Sequence, residues 1–179
     1  MPTTFHAATD DRYVFKYVGI GCRSPSPEEI EVRRIARDLK IPTTEAIEVA
    51  APRMANLIDG PCWLVPVPAC DGTIVANLRL ANAIAVLVVG ARVKCAVGRR
   101  GKIESSCDRR SCGLPSLTID EHKIVRTAGP MEVLPLFFID NVATTGTTIA
   151  ACRRALGWGT GLTYADASTR KALSPGSRR

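Results

Sequence analysis

Residues Leu134 to Thr148 read Leu-Pro-Leu-Phe-Phe-Ile-Asp-Asn-Val-Ala-Thr-Thr-Gly-Thr-Thr. An unbroken apolar run ends in an acid, small residues follow, and a helix-forming stretch begins. Successive N–H groups at such a turn, with the open start of a helix behind them, make a cradle for an anion. Gly146 permits positive φ and a close approach of backbone to ligand. The hydroxyls of Thr144, Thr145, Thr147 and Thr148 can donate to phosphate oxygens without adding charge, and Asp140 can accept from a pair of sugar hydroxyls. Together these residues offer the means to capture a phosphorylated sugar. The plainer alternative is a threonine-rich helix cap that binds nothing. Neither GxxxxGK[ST] nor a GxGxxG after a strand occurs, so two common phosphate motifs are excluded. Gly157-x-Gly159-x-Gly161 reads as a plain helix-to-strand connection.

The elements that must hold this turn follow from periodicity. Tyr13–Ile20 is rich in aromatic and β-branched residues and predicts a strand. Ser26-Pro27-Glu28-Glu29 is a capping box with proline at the first helical position. Ile30, Ile35, Ala36 and Leu39 then form an apolar stripe that stops before Pro42. A second helix spans Thr44–Ile58 with Ile47, Ala50, Met54, Leu57 and Ile58 on one side, and Pro52 threatens its middle. Strands are expected at Cys62–Val67, Val93–Val97, Leu134–Ile139 and Leu162–Ala167, with helices at Thr73–Val89, largely apolar and so mostly buried, and at Thr147–Leu156, stopped by Gly157. This alternation predicts an α/β fold with a parallel, Rossmann-like sheet flanked by helices. In such sheets ligands sit beyond the carboxyl ends of the strands. The stretch Gly98–Thr127 breaks the alternation, with one short helix near Leu117–Val125, and reads as a flexible lid or hood.

Composition sets outer limits. The chain has 179 residues, enough for one domain with a real core, taken as residues 1–168: strand and helices in 1–60, a core in 61–168 with the lid at 98–127, then a basic disordered tail at 169–179. The formal charge of +7 is local. The last ten residues carry four basic side chains and no acid, and Arg92, Lys94, Arg99, Arg100, Lys102, Arg109 and Arg110 face only Glu104 and Asp108 in the stretch 92–110. A basic interior loop implies either an anionic ligand or a solvated surface. The seven cysteines are odd in number and form no CxxC pair. Cys62, Cys95 and Cys152 sit in apolar runs as small buried hydrophobes, and Cys107, Cys112 and His122 are too few for a zinc site. Met1–Arg12 lacks an apolar signal core, and the longest apolar run, Ala83–Ala91, is about half what a bilayer needs. A reducing cytoplasm is the expected compartment.

The segment Asp140-Asn141-Val142-Ala143-Thr144-Thr145-Gly146-Thr147-Thr148, between an apolar strand and a helix, resembles the phosphoribosyl-pyrophosphate (PRPP) signature of type I phosphoribosyltransferases. Within that family the competence-protein F, amidophosphoribosyltransferase-like group is most similar. The likeness extends to Leu64-Val-Pro-Val-Pro68 before a helix and to the basic lid, and covers roughly residues 60 to 167. It implies that Asp140, the catalytic position, and Asn141 take the ribose 2′- and 3′-hydroxyls, that Val142 belongs to the same substrate-binding loop, and that Ala143 to Thr148 wrap the 5′-phosphate. Pro68, Ala69, Cys70 and Asp71 would line the pyrophosphate, with Arg99, Arg100, Lys102, Arg109 and Arg110 as candidate cations and Mg²⁺ held mainly through PRPP, without a direct protein cage.

Three departures stand out. The family usually has a second acid where this chain has Asn141, which removes negative charge opposite the ribose. Thr144 stands where purine-using members carry a further acid, so a 6-oxopurine acceptor is disfavoured. The zinc-finger segment of many competence-protein F relatives has no counterpart in this sequence. The expected activity is transfer of ribose 5-phosphate from PRPP to a nitrogen nucleophile of unspecified identity, with release of pyrophosphate. The alternative is a non-catalytic module that senses a nucleotide or binds nucleic acid through its basic segments. No membrane partner is expected, nucleic acid is the less favoured partner, and a homodimer is compatible with either reading.

Overall fold

The computed structural model describes residues 11–17 and 24–167, without the side chains of Cys107, Arg110 and Ser111. The basic tail and the far end of the first predicted strand therefore lie outside the described residues. Strand β1 (Arg12–Lys16) leads to helix α1 (Pro27–Asp38), where the capping box forms as read: Ser26 accepts from the Glu29 N–H and the Glu29 carboxylate takes the Ser26 N–H. Val32, Ile35, Ala36 and Leu39 face the core, whereas Ile30 is exposed. Helix α2 (Thr44–Ala55) runs through Pro52 and stops three residues earlier than Ile58, which is nonetheless buried.

Next come β2 (Trp63–Pro66) and α3 (Val75–Leu87). The sequence made the second of these mostly buried; only the stripe Asn77, Leu80, Ala81 and Ile84 is, and Val75, Val86 and Leu87 are exposed. The predicted strand Val93–Val97 splits into β3 (Arg92–Val93) and β4 (Val97–Arg99). The cause is chemical. Lys94 N–H still reaches the Leu64 carbonyl at 3.0 Å. The next ladder bond would need an N–H from Pro66, which has none. The chain therefore leaves the sheet, and β4 pairs antiparallel with β5 (Ile124–Arg126).

Between β4 and β5 lies α4 (Ser106–Ser111), so the lid is a small hairpin bearing one helical turn and a half rather than a bare loop. The helix predicted at Leu117–Val125 is a single capped turn. Thr118 and Glu121 bond reciprocally as a capping box, but Lys123 at φ 51° ends the turn and β5 begins. Strand β6 (Leu136–Ala143) then enters the sheet, followed by α5 (Thr147–Leu156), ended by left-handed Gly157, and β7 (Thr160–Asp166).

The five parallel strands stand in the order β1-β7-β6-β2-β3. Alternation along them builds two cores. Leu64, Phe137, Ile139, Leu162 and Tyr164 pack beneath α1, α2 and α3. Val65, Val67, Leu136 and Phe138 pack against Ile149, Cys152 and Leu156 of α5 on the other face. Helix α3 leads outward from β2 to one edge, and α5 leads outward from β6 toward the other, on the opposite face. The β2–β6 seam is thus a topological switch point, the place where open α/β sheets leave a crevice at their carboxyl ends. Among the described residues, no helix is long and apolar enough to cross a membrane.

Candidate functional site

Two loops predicted to act together meet at that crevice. Val67 N–H bonds to the Ile139 carbonyl at 3.0 Å, so Pro68 follows β2 just where Asp140 follows Ile139. The sequence placed the end of β6 at Ile139, yet it runs on to Ala143, because β7 continues beside it in register, Asp140 opposite Thr163 and Ala143 opposite Asp166. β2 has already ended, leaving this edge of β6 open toward the crevice.

Asp140 and Asn141 diverge. The Asp140 carboxylate accepts from its neighbour's N–H at 2.8 Å and from the Asn77 amide of α3 at 3.3 Å. Burial pushes its pKa up to about 6, against the opposing pull of those two bonds and of the Lys40 and Arg99 charges. Asn141 instead gives its amide to the Ala36 carbonyl of α1 at 3.2 Å and accepts from Val142 N–H at 2.9 Å.

The turn itself is half-buried from Val142 to Thr148. Gly146, at φ 74° and ψ 0°, sits where a side chain would be strained, and serves as the N-cap of α5 without a side-chain cap bond. The Thr145 hydroxyl accepts from Thr147 N–H at 3.3 Å and lies 2.7 Å from the Thr147 hydroxyl. Among the described residues, no acceptor takes the N–H groups of Thr144, Thr145, Gly146 or Thr148. These are the orphan donors that a helix start leaves for an anion.

The loop after β2 is tightly closed. Ala69 N–H bonds to Thr73 O, Gly72 N–H to Ala69 O, and the exposed Asp71 carboxylate accepts from both the N–H and hydroxyl of Thr73. Those bonds, with lesser help from the Lys102 charge, lower the Asp71 pKa. Arg99 does not project as a free cation. It donates to the carbonyls of Ala69 (2.9 Å), Pro68 (3.1 Å) and His122, and so rivets the lid's base to this loop. Ile103 N–H adds a bond to the Cys70 carbonyl. Burial lowers the Arg99 pKa from its ordinary value, and its charge still faces the crevice. Arg100 and Lys102 are exposed. Arg110 lies outside the described side chains.

A cavity of about 240 Å³ separates lid from turn, lined by Ser106, Arg109, Gly113, Leu114, Ser116 and Thr145. A larger one, about 360 Å³, lies at the amino end of the sheet among Pro52, Ile58, Leu87 and Val89, away from every predicted site residue. The smaller is the one beside the Thr144–Thr148 turn. Among the described residues no group of three metal-ligating side chains occurs, and Cys62 and Cys152 are buried while Cys95, contrary to expectation, is exposed. Sequence reasoning missed Asn77. Its signal was present: it shares the 3.6-period stripe of Leu80, Ala81 and Ile84, and a polar residue there must find partners. No protein-family model matches the chain, and no curated protein matches it.

Proposed function

We propose that the chain is a phosphoribosyltransferase of the type I kind, binding PRPP with Mg²⁺ and transferring ribose 5-phosphate to a nitrogen nucleophile. The observation that carries this reading is the meeting, at the β2–β6 switch point, of a carboxylate, a turn of unused N–H groups, and a second loop riveted to a basic lid. Asp140, mostly ionised at neutral pH, would accept from a ribose hydroxyl while the Thr144–Thr148 turn holds the 5′-phosphate. The leaving pyrophosphate would lie along Pro68–Asp71, where Arg99 and Lys102 supply positive charge to offset what develops on departure. Closing the lid would exclude water from a carbohydrate centre that becomes cation-like as the bond to pyrophosphate breaks.

Asp71 is compatible with Mg²⁺. Its carboxylate is exposed and ionised, only one of its oxygens is engaged by Thr73, and Mg²⁺ takes few carboxylates while keeping waters. That ion would neutralise charge on the pyrophosphate oxygens.

One observation favours the second reading, a non-catalytic PRPP or nucleotide sensor. Asn141 is turned away to Ala36, so the position that usually carries a second acid supplies no charge to the ribose. Titration with PRPP and Mg²⁺, followed by assay of pyrophosphate release with ammonia and simple amines, separates the two. Binding with release supports the transferase; binding without release supports the sensor. Absence of binding ends both.

A further inference from the structure

The cavity between the lid and the Thr145 turn is lined mostly by hydrogen-bond donors. Ser106, Ser116 and Thr145 bring three hydroxyls, Arg109 brings a guanidinium, Gly113 and Leu114 complete the wall, and among the described residues no carboxylate lines it. Hydroxyl donors around one cation, without an acid, suit a phosphate group. Arg109 is the unusual member. Its side chain is only 16% exposed, deep for a charge. Nε donates to the Pro115 carbonyl at 2.8 Å and Nη1 to Glu104 at 2.7 Å, while among the described residues Nη2 has no partner. Glu104, by contrast, is 57% exposed and can leave for water at little cost.

We propose that Arg109 is an anion-binding residue carried by the lid, that a phosphate group entering this cavity displaces Glu104 from it, and that Glu104 is an internal competitor for the site. This rests on the part of the functional reading that puts a phosphate at the Thr144–Thr148 turn. It moves Arg109 from the pyrophosphate, where the sequence alone put it, to the phosphate at the Thr145 end. The exchange is one anion for another at a guanidinium whose remaining N–H groups are already in place, so a doubly charged phosphate outcompetes a single carboxylate. The lid would then close on phosphate because it carries the phosphate's own partner.

The test uses the full chain, calorimetric titration with inorganic phosphate and with PRPP·Mg²⁺, and melting curves to confirm that each variant is folded. Glu104→Gln should tighten phosphate binding about three- to ten-fold, since it removes the competing charge while keeping the side chain's size. Arg109→Gln should weaken it about ten-fold or more. The double variant should bind like Arg109→Gln alone, because Glu104 acts only through Arg109. Arg109→Gln loses its bond to Pro115 and can loosen the lid, so Glu104→Gln is the decisive variant. Parental affinity for phosphate in Glu104→Gln overturns the inference, as does a parent that binds no phosphate. The two readings separate cleanly. If the variants behave as stated but the parent releases no pyrophosphate from PRPP, the inference stands and the transferase falls. If the parent turns over PRPP while Glu104→Gln binds phosphate as the parent does, the reverse holds.

Discussion

The Asn77 amide nitrogen lies 2.8 Å from the Val67 carbonyl and 3.3 Å from the Asp140 carboxylate, so one buried side chain of α3 joins the ends of both strands that frame the crevice. The first bond satisfies a carbonyl at the point where β2 becomes the Pro68 loop. The second orients the acid proposed to meet the ribose.

Asn77→Leu should therefore act on two measurements at once. Leaving the Val67 carbonyl unpaired costs roughly 1–3 kcal/mol of stability. PRPP binding should weaken while binding of inorganic phosphate at the Thr144–Thr148 turn stays near the parent's, because Asn77 touches the acid and not the turn. If phosphate and PRPP affinities fall together, Asn77 is only a core residue whose loss disturbs the whole site.

Asp140 carries a predictable conflict between stability and binding. Its folded pKa, about 6, lies above its ordinary value of 3.8, so between those values the folded state holds the proton more tightly than the unfolded chain. That contribution is complete below pH about 4 and is lost as pH rises through about 6. Asp140→Asn should raise the neutral-pH stability of the ligand-free protein, on the order of 1–2 kcal/mol, by removing a partly buried charge. It should also weaken PRPP binding about ten- to hundred-fold by removing a charge-assisted bond. Equal melting temperatures at pH 7 would show that the carboxylate is better solvated than its surroundings indicate.

His122 has the opposite sign in nearly the same window. It is buried in the lid, its Nδ1 has no partner among the described residues, and burial with the nearby Arg99 charge lowers its pKa to about 4. Glu121 pulls the other way and does not prevail. A depressed histidine contributes stability that is present above pH about 6.5 and is lost as pH falls through about 4. Asp140 and His122 thus offset one another, and the parent should show little change in stability from these two groups between pH 4 and 6. Asp140→Asn should expose a steady acid-side loss due to His122, and His122→Phe in that background should abolish it. A loss unchanged by His122→Phe would assign it elsewhere in the chain.

The parallel sheet and the turn after β6 were legible because buried parallel strands are unbroken apolar runs and because turn residues announce themselves locally. Helix caps were legible for the same reason: Ser26, Glu29 and Gly157 act on near neighbours. What escaped depended on partners distant in sequence. Ile139 looks like a strand end, and only β7 alongside carries β6 to Ala143. Val93–Val97 looks continuous, and only a proline on β2 breaks it. Thr118 and Glu121 announce a helix that Lys123 and pairing with β4 do not allow. The Arg99 bonds to Pro68 and Ala69 and the Asn141 bond to Ala36 span thirty or more residues, beyond any local pattern.

That last bond governs the most informative substitution. Asn141→Asp restores the acid that the family resemblance leads one to expect, and by charge alone it should favour a cation-like ribose. The position, however, faces the Ala36 carbonyl, and a carboxylate there exchanges a 3.2 Å donor–acceptor bond for two acceptors in contact. The variant should lose roughly 1–3 kcal/mol of stability. To escape that repulsion the new side chain would have to turn from α1 toward the crevice. In that event turnover of PRPP should equal or exceed the parent's, with the melting temperature lower and partly recovered on adding PRPP and Mg²⁺. A variant that melts lower and gains nothing from PRPP would keep its acid against α1, and Asn141 would be a strut between β6 and α1 rather than a ribose ligand.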